Sequence, residues 1–150
     1  MILSAQSIRK AAIITPFNER TVYEGMSYGL SSCGYDIRLR EDIYLYAGGF
    51  SLASSIEHFD MPTNIMAQVA DKSSWARKGI AVQNTILEPG WKGYLTIELT
   101  NHSAAPVFIK HGSPIAQIIF MKLDKATEKP YSGKYQNQPD KPVEAIYEKT

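Results

Sequence analysis

The chain has 150 residues, 44% of them hydrophobic and 21% charged, with a formal net charge of +1. That is enough chain for a single domain spanning 1–150 with a core of its own, and so near-neutral a balance excludes a globally basic nucleic-acid binder while leaving room for a local cationic site. Cys33 is the only cysteine, so a disulfide framework or a Cys-built zinc cluster within one chain is excluded, and the residue is expected to be small and buried.

The first segment, "SAQSIRKAA" at 4–12, predicts a short helix capped by Ser4, with Ile8 and Ala12 on one stripe. The opening residues lack a basic leader and a long apolar stretch, and no later run approaches the ~20 residues of a membrane span. A cytoplasmic protein without membrane contact is expected.

After Pro16 the periodicity changes to two. In "GYDIRLR" (34–40) Tyr35, Ile37 and Leu39 face one way and Asp36, Arg38 and Arg40 the other. Further strands are predicted in "DIYLYAG", "NIMAQVA", "GIAVQN", "GYLTIELTN", "APVFIKHG" and "PIAQIIFMKL", each bounded by Gly, Pro, Asn or Asp. Many short strands with regular turn signals predict an all-β sandwich or distorted barrel. Residues 125–150 are polar, contain Pro130, Pro139 and Pro142, and show little periodicity; a tail or flap is expected there.

Between strands lies "DKSSWARKG" (71–79). Ser73 or Ser74 can cap a helical turn that Gly79 stops, and Arg77 projects on the serines' side. Two readings stand side by side: a capped connector with solvated cations, or a turn whose N–H groups, hydroxyls and cations hold an anion. In "GYLTIELTN" (93–101) Glu98 shares a face with Tyr94, Thr96 and Thr100, where strand propensity disfavours it. It is either a solvated or paired charge, or a rigidly held general base. "ILEPGWKG" (86–93) reads as a hairpin-like turn, with Trp91 covering the core edge or stacking a flat ring.

Phosphate-loop and dinucleotide glycine fingerprints are absent. His58, His102 and His111 are scattered, and the H-x-E…P-C-x-x-C pattern of zinc nucleobase deaminases does not occur.

Taken together, "DKSSWARKGIAV", "LEPGWKGYLTIELTN", "GYDIRL", "GSPIAQIIF" and "YSGKYQNQ" resemble, in order, the conserved segments of dCTP deaminases, relatives of the trimeric dUTPases. The resemblance implies a dUTPase-like distorted β-barrel or jelly roll with one or two short helices. It implies conversion of dCTP and water to dUTP and ammonia without zinc, magnesium arriving with the triphosphate, and a homotrimer with active sites between subunits. By that resemblance Lys72, Ser73, Ser74, Trp75, Ala76 and Arg77 contact triphosphate and base, and Glu88 holds the sugar or base edge. Thr96, Ile97 and Glu98 line the pyrimidine, Gln117 reaches phosphate, and Tyr131, Lys134 and Gln138 close over the substrate. Glu98, Ser73 and Arg77 surround the reacting carbon. Departures are Lys72 for the usual arginine, Glu88 for the usual aspartate, and a compact length nearer that of dUTPases. A bifunctional enzyme giving dUMP, a plain dUTPase and a non-catalytic nucleotide-binding regulator are the alternatives.

Overall fold

Alternating apolar residues, many of them β-branched or aromatic, set the backbone of the molecule, because such side chains pack well on a pleated, half-buried surface. The structure, a computed structural model, describes residues 1–150. In chain order the elements are α1 (Ala5–Ala11), β1 (Ile14–Thr15), β2 (Thr21–Tyr23), β3 (Met26–Leu30), β4 (Tyr35–Arg38), β5 (Ile43–Leu45) and β6 (Phe50–Asp60). They continue with β7 (Ile65–Asp71), α2 (Ser73–Ala76), β8 (Ile80–Val82), β9 (Ile86–Leu87), β10 (Lys92–Asn101), β11 (Val107–Ile109) and β12 (Pro114–Lys122). The architecture is mainly β with two short helices, as the turn spacing predicts.

One sheet has the order β2-β3-β4-β12-β7-β9 and a second the order β1-β6-β10-β8, with β5 and β11 forming a separate ribbon. Every pairing of named strands is antiparallel. Tyr35, Ile37 and Leu39 are fully buried against Ile97 and Leu99 of β10, Ile118 and Phe120 of β12 and Val69 of β7 within one hydrophobic cluster. Trp75 joins that cluster from α2, donating its indole N–H to the Pro114 carbonyl at 2.7 Å.

The polar face of β4 is satisfied inside the protein rather than by solvent. Asp36 accepts from the Lys72 ammonium at 2.7 Å, and Arg38 donates to Glu57 Oε1 at 2.8 Å. Arg40 reaches the Ser55 and Ile56 carbonyls at 3.3 and 3.2 Å. The partners of Arg38 and Arg40 cluster on a bulge of β6. Tyr94 pairs with His58 and Thr96 with Ser54, so β6 spends extra residues there while β10 advances by two. The Ser55 hydroxyl accepts from the Leu95 amide at 2.9 Å, replacing a ladder partner.

β6, eleven residues long, is absent from the predicted strands. Its "SLASSIEHF" run carries polar residues at buried positions, Ser54, Ser55 and Glu57, which hides the period-two signal. Other expectations need correction. Helix α1 ends at Ala11, and Ala12 is its left-handed cap with φ 52°, so it lies off the buried stripe. Ser4 occupies the N-cap position but makes no side-chain capping bond. Cys33 is exposed, in the turn between β3 and β4. The 86–93 segment is not a hairpin: β9 pairs with β7, whereas β10 pairs with β6 and β8. The turn between them closes through the Trp91 N–H to the Glu88 carbonyl at 3.1 Å, and Gly90 supplies its positive φ of 86°.

Candidate active site

Two cavities receive most of the residues singled out in the sequence. The larger, about 680 Å³, is lined by Glu88, Thr96 and Glu98, by Trp91, and by Tyr131, Tyr135 and Gln138 of the tail. Its remaining wall is largely apolar, from Phe50, Leu52, Ile86 and Leu95. The smaller, about 290 Å³, has only polar lining: Ser27, Ser31, Asp36, Asp71, Lys72, Ser73 and Gln117.

The larger cavity is built on β10. Ile97 and Leu99 anchor the strand in the core, which turns Thr96 and Glu98 the other way, while Leu95, at the register shift, is buried and also lines the cavity. Glu98 Oε2 is buried and has no hydrogen-bond partner. Burial, opposed only by a backbone hydrogen bond, raises its carboxyl above the ordinary range. Ile97, expected to line the pyrimidine, has a buried side chain on the core side; only its backbone can face a ligand.

The tail closes this cavity along one edge. Trp91 donates its indole N–H to the Tyr135 carbonyl at 2.7 Å, and Tyr94 N–H donates to the Gln138 carbonyl at 3.1 Å. The Gln138 side-chain oxygen accepts from both the Thr96 amide and hydroxyl, at 3.3 and 3.1 Å. Gly93 makes this approach possible, because a Cβ there would lie 2.6 Å from the Gln138 amide nitrogen. Trp91 covers the core edge, packing on Phe59 with 6.3 Å between centroids, and it also lines the cavity.

The smaller cavity is built around the start of α2. Its N-cap is Lys72, not a serine, and no side chain caps it. Ser73 is consequently exposed, with Ser74 half-buried and Ala76 and Arg77 exposed. Arg77 caps the other end and lies back along the turn, its Nη1 3.4 Å from the Ser73 carbonyl. Trp75 is a core residue, so only its backbone is available to a ligand. Lys72 is only 7% exposed, and its ammonium is tied to Asp36; an anion there meets a neutralised pair rather than a free cation. Asp71 Oδ1 accepts the Val82 amide at 2.7 Å, and Gln117 donates to the Ser31 hydroxyl at 3.2 Å. No three His, Cys, Asp or Glu side chains lie together in a way that could hold a metal ion.

Ser73 and Glu98 thus line different cavities of one chain. Glu88, Thr96, Glu98, Tyr131 and Gln138 come together; Lys72, Ser73 and Gln117 form the other group; Lys134 is exposed, with its Nζ 5.5 Å from the Tyr135 ring centre. Sequence reasoning missed Tyr135, whose only signal is its place beside Lys134, and the Arg38–Glu57 pair, whose acid sits in the unrecognised β6.

Residues 35–123 match the family model described as dCTP deaminase-like. The chain belongs to that family. The dCTP deaminase of Sulfurovum sp. is 37% identical, with 85% of this chain and 85% of that protein covered. That of Campylobacter curvus is 38% identical, with 85% and 86% covered. Among solved structures, EIAV dUTPase superposes with a TM-score of 0.56 at 22% identity over 67% of this chain and 84% of that one. The dUTPase of Staphylococcus bacteriophage 80alpha gives 0.60 at 14% identity, covering 79% and 92%. The deaminase-like family member therefore has the dUTPase-like fold that its sequence resembles. None of its helices is long and apolar enough to cross a membrane.

Proposed function

We propose that this protein is a dCTP deaminase, converting dCTP and water to dUTP and ammonia. The observation that carries the reading is Glu98: a carboxylate on a stiff strand, with a buried, unpartnered oxygen, in a cavity that also holds Glu88, Thr96 and Gln138. The curated relatives named dCTP deaminase support the same substrate.

Glu98 takes a proton from water as its oxygen attacks C4 of the cytosine ring. The proton then passes to the exocyclic nitrogen, the C4–N bond breaks and ammonia departs, while the second water proton moves from the C4 hydroxyl to N3 and C4 keeps the oxygen as a carbonyl. A raised carboxyl pKa strengthens the base; such proton transfer contributes about 10²–10⁴-fold in rate. Ser73 orients the water and Arg77 stabilises charge at the base. Lys72, Ser74, the Trp75 and Ala76 backbone and Gln117 hold the triphosphate, which brings its magnesium with it. Glu88 holds the sugar or base edge, the Ile97 backbone and Thr96 line the ring, and Tyr131, Lys134 and Gln138 close the site.

Because the carboxylate and the phosphate turn line separate cavities of one chain, we place the complete site between subunits of a homotrimer. A cytoplasmic setting follows from a soluble nucleotide substrate. The dUTPase-like fold keeps a second reading in view, a bifunctional enzyme that goes on to dUMP, or a plain dUTPase. Incubation with dCTP and, separately, dUTP, each with magnesium, distinguishes them. Ammonia without pyrophosphate is the expected result. Both products from dCTP mean a bifunctional enzyme, pyrophosphate from dUTP alone means a dUTPase, and neither product from either nucleotide overturns the enzyme reading.

A further inference from the structure

The closing residues implied by the resemblance end at Gln138, and the rest of the expected 125–150 flap continues across the mouth of the larger cavity. Val143, Glu144 and Ala145 line that cavity together with Glu98. Three hydrogen bonds hold the 143–146 segment there. The Val143 amide donates to the Thr96 hydroxyl at 3.1 Å, the Ile146 amide donates to the Tyr135 hydroxyl at 2.9 Å, and that hydroxyl donates to the Ile146 carbonyl at 3.5 Å. A surface pair, Asp140 to Arg40 at 3.7 Å, adds little beside them.

Tyr135 is the point where these connections meet. Its amide donates to the Tyr131 hydroxyl at 3.0 Å, its carbonyl accepts the Trp91 indole at 2.7 Å, and its ring lies under the Lys134 ammonium. One residue thereby fixes two proposed nucleotide contacts, Tyr131 and Lys134, through its backbone and ring. Its hydroxyl alone remains to hold the segment beyond Gln138.

We propose that Tyr135 is a positioning residue for the reaction: its hydroxyl latches residues 143–146 in place as the outer wall of the cavity over Glu98. The inference rests on the deaminase reading for its substrate, but the latch itself is a property of the chain. Ile146 is the last residue with a named bond to the body. Loss of the Tyr135 hydroxyl removes both bonds to Ile146 and frees the end of the wall, leaving the Val143 amide as the sole remaining hydrogen-bonded tie of the 143–146 segment.

Tyr135→Phe removes the hydroxyl and leaves the ring and backbone in place. One hydrogen bond contributes about 1 kcal/mol, so the dCTP dissociation constant and KM are expected to rise about fivefold, with a smaller fall in kcat. Ile146→Pro removes the amide donor but keeps the carbonyl acceptor, and is expected to give a rise no larger than that of Tyr135→Phe. The double variant is expected to be no worse than Tyr135→Phe alone, because that variant already removes both bonds to Ile146. Amide exchange at Val143 is expected to quicken about fivefold in Tyr135→Phe. Binding is read from tryptophan fluorescence with dCTP and with dUTP, separately from ammonia release. Weaker binding in both variants without ammonia release in the parent supports the latch while refuting the deaminase reading. Undiminished binding and unaltered Val143 exchange in Tyr135→Phe overturn the latch even if ammonia release is intact. Multiplicative losses in the double variant overturn it as well, since the two groups would then act independently.

Discussion

Glu98 pays for its position in desolvation, and the direction of its titration makes that cost measurable. Burial raises its carboxyl above the ordinary range, so the folded protein holds the proton more tightly than the unfolded chain. Below the unfolded value both states are protonated and the charge costs nothing; as pH rises through the raised folded value, the cost is fully expressed. Glu98→Gln is therefore expected to melt higher than the parent at neutral pH, with the gap closing on acidification below the ordinary carboxylate range. Parallel thermal melts across pH check this, and a variant less stable at neutral pH contradicts it. The same raised value places the acid limb of kcat/KM above the ordinary carboxylate range, because the base must be ionised to accept a proton. At this scale the sequence was informative about which residues gather in one cavity and less so about how they are presented. Glu98 and Thr96 share a face as their spacing suggests, and Glu88 joins them as the resemblance implies. Trp75 and Ile97 instead turn into the core, because a short helix and a strand must each bury one side to be held at all.

Among the elements, the β6 bulge shows best why part of the fold was hidden. Ser55 and Glu57 are buried because β4 needs partners for Arg38 and Arg40, and a strand whose inner positions are polar does not read as a strand. The remaining long strands, β7, β10 and β12, bury ordinary aliphatic residues and were legible for that reason. Glu57 is fully buried, and its carboxyl is raised mainly by that burial, with the Arg38 bonds working the other way. Removing one partner strands the other charge inside the protein. Arg38→Met is expected to destabilise the fold by about 3–5 kcal/mol, read by urea unfolding; a loss under about 1 kcal/mol would show that water reaches Glu57 freely. Since the bulge sits beside Thr96, the same variant is expected to weaken nucleotide binding through a shifted β10.

For the whole molecule, the division of the proposed site into two cavities of one chain is the consequential feature. No alternation or turn signal could reveal it, because a periodic pattern fixes faces and not the distance between a turn and a strand. If complete sites form between subunits, Glu98→Gln and Arg77→Ala carry their defects on different halves of each site. Mixed trimers, refolded from equal amounts of the two inactive variants, are expected to regain part of the parent ammonia release. Continued inactivity in trimers shown to contain both chains would place the two residues in one subunit's site.

The role of Glu98 is tested most directly by Glu98→Gln, which keeps the shape of the side chain and removes its basicity. Ammonia release from dCTP and dCTP affinity are measured together on that variant. The account predicts that release falls by about 10²-fold or more while binding stays near the parent value. Release at the parent rate from a variant that binds dCTP normally would contradict it.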